Sequence, residues 1–178
     1  MAQKNTTEIG DDFENRALGI LEKALSEDQL GHNAQFAKIY RKKKYRTLNG
    51  DLIEFDLTIE IWPPEAPNYT FIYIIECKNY STTIPAKEMQ SFHSQLMQLG
   101  KMNMKPIFIS NAPLQKRPLS MAKSLGMMVI EGQASDNYKI IVYKKDGDNH
   151  EFRIPFLVET YDSSLLDEGS QLIEKKLR

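Results

Sequence analysis

One cysteine, Cys77, and three scattered histidines, His32, His93 and His150, are all that this 178-residue chain offers of the residues that most often hold zinc. No zinc-site spacing exists, and a lone cysteine excludes an intrachain disulfide framework, so the expectation is a reducing, cytoplasmic setting. No apolar run approaches the roughly 18 residues that cross a bilayer. The N-terminus lacks the basic-then-apolar pattern of a signal peptide, and we therefore expect a protein neither secreted nor embedded in a membrane. There is no glycine-rich phosphate loop, internal repeat or low-complexity segment. Net charge is −1, which rules out a strongly basic coat. With 41% apolar and 26% charged residues, the composition is that of an ordinary globular protein able to bury a core without staples.

Helical spacing of Phe13, Ala17, Ile20, Leu21 and Ala24 predicts a helix opened by Asp11 or Asp12 and running to about Leu25. Phe36 to Tyr45 reads as a strand, and Asn49-Gly50 as the turn into a second, Leu52 to Trp62. That second strand alternates, with Ile53, Phe55, Leu57, Ile59 and Ile61 on one face and Glu54, Asp56, Thr58 and Glu60 on the other. Phe71 to Lys78 is an apolar run of the kind found in strands buried on both faces. A helix from about Ala86 to Leu99 follows, closed by Gly100. Then come a strand at Pro106–Ser110, a helix at Pro118–Leu125, strands at Met127–Ile130 and Tyr138–Tyr143, and a last helix over 163–177. This order predicts an α/β fold in a single domain, 1–178. Its core spans about 9–145, and residues 146–178 form a C-terminal extension. The mixed central sheet has helices on both faces.

The buried run ends in Glu76-Cys77-Lys78. Residues two apart on a strand share a side, so Glu76 and Lys78 project together while Cys77 points into the core. Placing opposite charges at the end of a buried strand costs desolvation energy and calls for a reason. A strand-end ion pair is one; a site holding a divalent metal beside a phosphate is another. If the Asp56 strand pairs next to this one, Asp56 and Glu76 converge. Two carboxylates and the Cys77 backbone carbonyl suit Mg²⁺, and Lys78 can position a water or meet charge on a phosphate. Cys77 has no nearby base in sequence and reads as structural rather than nucleophilic.

Asp56 followed by Glu76-Cys77-Lys78 resembles the D-…-(D/E)-x-K signature of the PD-(D/E)XK nuclease superfamily, and within it the Mrr-type restriction endonuclease domains. The likeness runs from about residue 9 to 132. It takes in ECKNY, the helix carrying SFHSQL, the run Pro106-Ile-Phe-Ile-Ser-Asn, and Gly126-Met-Met-Val-Ile-Glu-Gly132. The sequence departs from the pattern at Phe55, where the name-giving proline would stand. The resemblance implies a restriction-endonuclease-like three-layer fold and an Mg²⁺-dependent endonuclease acting on DNA, with Mn²⁺ able to substitute. Asp56 and Glu76 would ligate the metal and Lys78 would help activate the attacking water. A junction-resolvase-like repair nuclease and a catalytically silent nucleic-acid-binding module are the alternatives.

Further candidates follow. Glu14 stands in Gly10-Asp-Asp-Phe-Glu14, where related nucleases often place an acid facing the metal; equally, Asp11-x-x-Glu14 reads as a capping box. Gln95 lies on the helix after E-x-K, where a polar residue can contact phosphate, and His93 reads as a surface histidine. Ser110 ends a strand and could bind phosphate or start a turn. Lys38 to Arg46 packs six cations into nine residues, with Lys38, Arg41, Lys42, Lys43 and Lys44 among them. Such a run is either a solvated face or an edge that tracks DNA phosphates. Cutting both strands needs two sites, so a homodimer is expected, and a separate specificity or modification subunit would supply target choice.

Overall fold

The computed structural model describes residues 6–142, Met102 excepted, with the side chains of 6–9 and 142 also excepted. These residues fall within the first of the two units into which the chain divides, Met1–Tyr143. The helix expected over 163–177 lies outside the described residues.

Helix α1 spans Thr6–Ser26, and strands β1, Ala37–Arg46, and β2, Leu52–Ile61, form a hairpin. Strand β3 is Phe71–Lys78, followed by α2, Ala86–Leu99, and β4, Met104–Ser110. Helix α3, Lys116–Ser124, leads to β5, Met128–Ala134, and β6, Asn137–Val142. The six strands lie in chain order from β1 to β6. Pairing is antiparallel from β1 to β3, parallel from β3 to β5, and antiparallel again at β6. The protein is thus an α/β fold with a mixed sheet.

Two crossovers, β3–α2–β4 and β4–α3–β5, join parallel neighbours. Successive crossovers of one hand progressing in one direction put their helices on the same face. Accordingly, Met89, Phe92, Leu96 and Leu99 of α2 and Ala122 of α3 pack with Ile72, Ile74, Phe108 and Val129. The opposite face is covered by α1, whose Phe13, Ala17, Ile20, Leu21 and Ala24 meet Leu57, Ile59, Ile75, Ile107 and Ile130. Burying both faces explains why β3 is apolar at every position from Ile72 to Ile75.

Helix α1 begins at Thr6, about a turn earlier than the sequence signal at Asp11. Asp11 is therefore inside the helix, and Asp11-x-x-Glu14 is not its cap. The other end of the fold follows the sequence closely: Gly100 closes α2 at φ 59°, a left-handed conformation that favours glycine.

The β1–β2 hairpin is bent. Tyr40 pairs with Thr58 and Tyr45 with Ile53. On a flat ladder those pairs lie about 17 Å apart at ~3.3 Å per residue. Yet the Tyr45 hydroxyl is 2.9 Å from Thr58 Oγ1, a span the tyrosine side chain is too short to cover. The hairpin must therefore curl over the α2 face. The ladder locates the bend: pairing runs through Arg41↔Leu57 and resumes at Lys43↔Phe55, skipping Lys42 and Asp56. Lys42 there has φ 49°, uncommon for any residue but glycine. Beyond the bend the faces exchange. Leu57 packs in the α1 layer, but Phe55 packs in the α2 layer with Tyr45. The expectation that Phe55 shares a face with Leu57 is thus corrected, because simple alternation does not survive a bend.

Candidate active site

Strands β2 and β3 pair from Ile61↔Phe71 to Leu57↔Ile75 and then separate. The next β2 residue is Asp56. Its side chain takes over where the ladder stops, with Oδ2 accepting a hydrogen bond from the Cys77 amide at 2.9 Å. A strand residue's N–H and C=O face the same edge, so the Cys77 carbonyl also faces β2 beyond the end of the ladder. The Cys77 side chain packs toward the α1 layer, and burial pushes its thiol pKa up, in keeping with a structural cysteine.

Glu76 and Lys78 project on the α2 side, their charged ends 2.7 Å apart. The first turn of α2 brings Glu88 to the same lysine at 3.5 Å, and Glu88 Oε1 accepts a hydrogen bond from the Tyr80 hydroxyl at 2.8 Å. Glu88 is a site residue that sequence reasoning missed. Its signal was an acid in the first turn of the helix directly after E-x-K, where the helix dipole favours negative charge. Burial first, and the charge of Asp56 second, push the Glu76 pKa up. For Lys78 burial acts downward, but Glu76, Glu88 and Asp56 outweigh it and raise its pKa. The lysine therefore stays an ammonium.

From the α1 side comes Glu14, which lies on the same stripe as Ala17 and Leu21 and is only 7% exposed. Lys42 Nζ binds Glu14 Oε1 and also lies 3.0 Å from Asp56 Oδ1. The second oxygen of Glu14, Oε2, is buried with no hydrogen-bond partner. Burial opposes the Lys42 charge, yet the two carboxylates hold its pKa above the ordinary lysine range.

Asp56, Glu76, Lys78 and Glu14 thus gather at the separation of β2 from β3. Three other expectations fare differently. Gln95 lies seven residues beyond Glu88 on α2, two turns up the same side, or about 10 Å along the axis at 1.5 Å per residue. Ser110 is fully buried, and its hydroxyl donates to the Ala112 carbonyl at 2.7 Å. It serves the turn after β4 and presents nothing to a phosphate.

The basic run, too, is not a continuous phosphate-tracking row. Strand alternation and the bend divide it, and acids on neighbouring strands and α1 take up several of its charges. Lys42 joins Glu14 and Asp56, Lys43 meets the buried Glu60 at 2.7 Å, and Lys44 lies 3.7 Å from Glu54. Arg41 donates to Asn15 at 2.6 Å, while Lys38 sits 4.0 Å over the Trp62 ring. Among the described residues, Lys38, Arg41 and Arg46 of the run are exposed and form no ion pair with a carboxylate.

The donors suit a hard cation: carboxylate oxygens on Asp56, Glu76 and Glu14, with one buried Glu14 oxygen lacking a partner. As arranged, lysines cover several of these oxygens. Among the described residues no group of three or more acids, histidines or cysteines is already disposed to hold a metal. Among the same residues no helix is long and apolar enough to cross a membrane.

No family model and no curated protein matches the chain. Among solved structures the chain is similar to AF1548, a protein described as of unknown function, at 15% identity and a TM-score of 0.42. The match covers 63% of this chain and 56% of that one, and a likeness so partial bears on neither fold nor activity.

Proposed function

We propose that this protein is a metal-dependent nuclease of the restriction-endonuclease-like type, hydrolysing phosphodiester bonds in DNA. One observation carries the reading. Asp56 leaves the ladder at the point where β2 parts from β3 and takes the Cys77 amide, and its charge adds to burial in raising the Glu76 pKa. Carboxylates held together against their own repulsion at the end of a buried strand, with a lysine alongside, are an expensive way to build a scaffold.

Asp56 and Glu76, with the Cys77 carbonyl, would hold Mg²⁺ or Mn²⁺. When bound, such an ion supplies charge neutralisation at the phosphate and an acidified water. Lys78, kept protonated by Glu76 and Glu88, meets negative charge growing on the attacked phosphate or orients the water. Glu88 and Tyr80 hold that lysine at the mouth of α2. DNA as the substrate rests on the family resemblance, with the exposed cations of β1 in support. If those cations meet phosphates, affinity falls steeply as salt rises.

The second reading, a catalytically silent nucleic-acid-binding module, is favoured by the lysines that already neutralise Asp56, Glu14 and Glu76. Plasmid nicking separates the two. Supercoiled DNA is incubated with Mg²⁺, Mn²⁺ or EDTA, using wild type, Glu76→Ala and Lys78→Ala. The nuclease reading expects metal-dependent nicking lost in both variants. Nicking that persists in both would place the activity elsewhere, and inert wild type that binds DNA would favour the silent module.

A further inference from the structure

Lys42, like Glu88, belongs to the cluster although neither the resemblance nor the E-x-K argument calls for it. Its ammonium lies between Glu14 Oε1 and Asp56 Oδ1, and among the described residues neither carboxylate forms another ion pair. The strand is distorted to put it there, since Lys42 adopts φ 49° at the skipped pair of the hairpin. Its side chain is 42% exposed whereas that of Glu14 is 9% exposed, so the lysine can swing into water and the glutamate cannot. The unpartnered Glu14 Oε2 adds a buried acceptor that the ammonium leaves unused.

We infer that Lys42 is a built-in counter-ion, held by Asp56 and Glu14, that gives way when Asp56 takes up a divalent cation together with Glu76. The inference rests on the metal reading of the site and extends it. Lysine and metal are alternatives at Asp56. In the metal-free protein the ammonium relieves repulsion between Glu14 and Asp56. A divalent ion with several oxygen donors displaces it, engaging the oxygens that one ammonium cannot satisfy. Lys42 therefore sets the metal concentration at which the site fills, and it is a positioning residue rather than a catalytic one.

The test is binding, not turnover. Mn²⁺ is titrated into the full chain and free Mn²⁺ is followed by electron paramagnetic resonance, for wild type, Lys42→Gly, Lys42→Gln and Glu76→Ala. Lys23→Gln on α1 serves as a charge-matched control. Glycine accepts the positive φ without strain, so Lys42→Gly removes the ammonium while sparing the backbone. Both Lys42 variants are expected to bind Mn²⁺ about tenfold more tightly, within the usual range of coupling between two ligands. They are also expected to melt at lower temperature in EDTA and to recover that loss in Mg²⁺, while Lys23→Gln behaves as wild type. Unchanged or weaker Mn²⁺ binding in both Lys42 variants, with binding lost in Glu76→Ala, would overturn the inference and leave the metal site standing. No Mn²⁺ binding by any of the proteins would overturn both.

Discussion

Glu60 and Asp56 stand four residues apart on β2, and their surroundings differ in kind. Glu60 is 1% exposed, and donors on its own hairpin meet both of its oxygens. Lys43 and the Tyr45 hydroxyl reach Oε1 at 2.7 and 2.8 Å, and the Trp62 indole reaches Oε2 at 3.1 Å. Asp56 instead shares its lysine with Glu14, faces Glu76, and spends one oxygen on a backbone amide that lost its strand partner. The first is a closed network that holds the bend, since Tyr45 and Lys43 lie beyond it and Glu60 before it. The second is an open one, with repulsion between carboxylates and an unsatisfied Glu14 oxygen. Burial and charge alone do not mark a functional carboxylate. Electrostatics left unresolved within the fold is the mark on which the proposed site rests.

The largest effect that could sharpen this contrast is on turnover. Lys78→Ala is expected to slow metal-dependent DNA cleavage by about 10²- to 10⁴-fold, the usual worth of a group that handles a proton or water. Denaturant melts should show a loss of stability as well, because Glu76 and Glu88 lose their counter-ion, so cleavage is compared below the melting transition. On the closed network the effect is on stability. Glu60→Ala strands Lys43, Tyr45 and Trp62, and should cost about 3 kcal/mol in urea unfolding, as removing one partner of a buried pair does. A loss near zero would break the comparison, because Glu60 would then not be holding the bend.

Gly100→Ala tests the outer anchor of the same hairpin. The Leu48 amide donates to the Gln98 carbonyl, and a Cβ at Gly100 would lie 2.4 Å from Leu48 Cδ2. The φ of 59° gives an expected cost of about 1 kcal/mol by thermal unfolding. Leu48 itself is exposed and can move aside. The smallest effect is a gain. Burial and then Asp56 raise the Glu76 pKa, so the folded state holds that proton more readily than the unfolded one. The charged form thus costs stability above the raised pKa, and the cost disappears as pH falls through it. Glu76→Gln should melt slightly above wild type near neutral pH, and the gap should close on acidification. A variant that melts lower at every pH would mean that the Lys78 ion pair outweighs the repulsion.

Where side-chain chemistry and local pattern agreed, the sequence was legible. Strand β3 and helix α2 fall on their expected bounds, because an apolar run ending in charges and a stripe closed by glycine are local signals. Asp56, Glu76 and Lys78 were readable as a set through spacing and resemblance, and Glu14 through its place in the first helix. What escaped was whatever depends on the bend. Alternation put Phe55 with Leu57, and nothing local reveals the strand distortion at Lys42 that turns Phe55 to the other layer. The same bend hid Lys42 in a basic run, although its contacts are with two acids. Strand β5 extends to Ala134, beyond the apolar residues that end at Ile130, because pairing with β6 carries Glu131 to Ala134 as strand. Ser110 was ambiguous until the turn showed its hydroxyl committed to Ala112.

The most direct measurement runs cleavage and unfolding side by side, in the same Mg²⁺ buffer, on Glu76→Gln and Glu60→Gln. The account predicts that Glu76→Gln abolishes cleavage of supercoiled DNA while keeping wild-type stability or better. It predicts that Glu60→Gln loses stability but, below its melting transition, still cleaves. Cleavage that survives in Glu76→Gln, or is absent from wild type at every metal concentration, would contradict the assignment of the site at the end of β3.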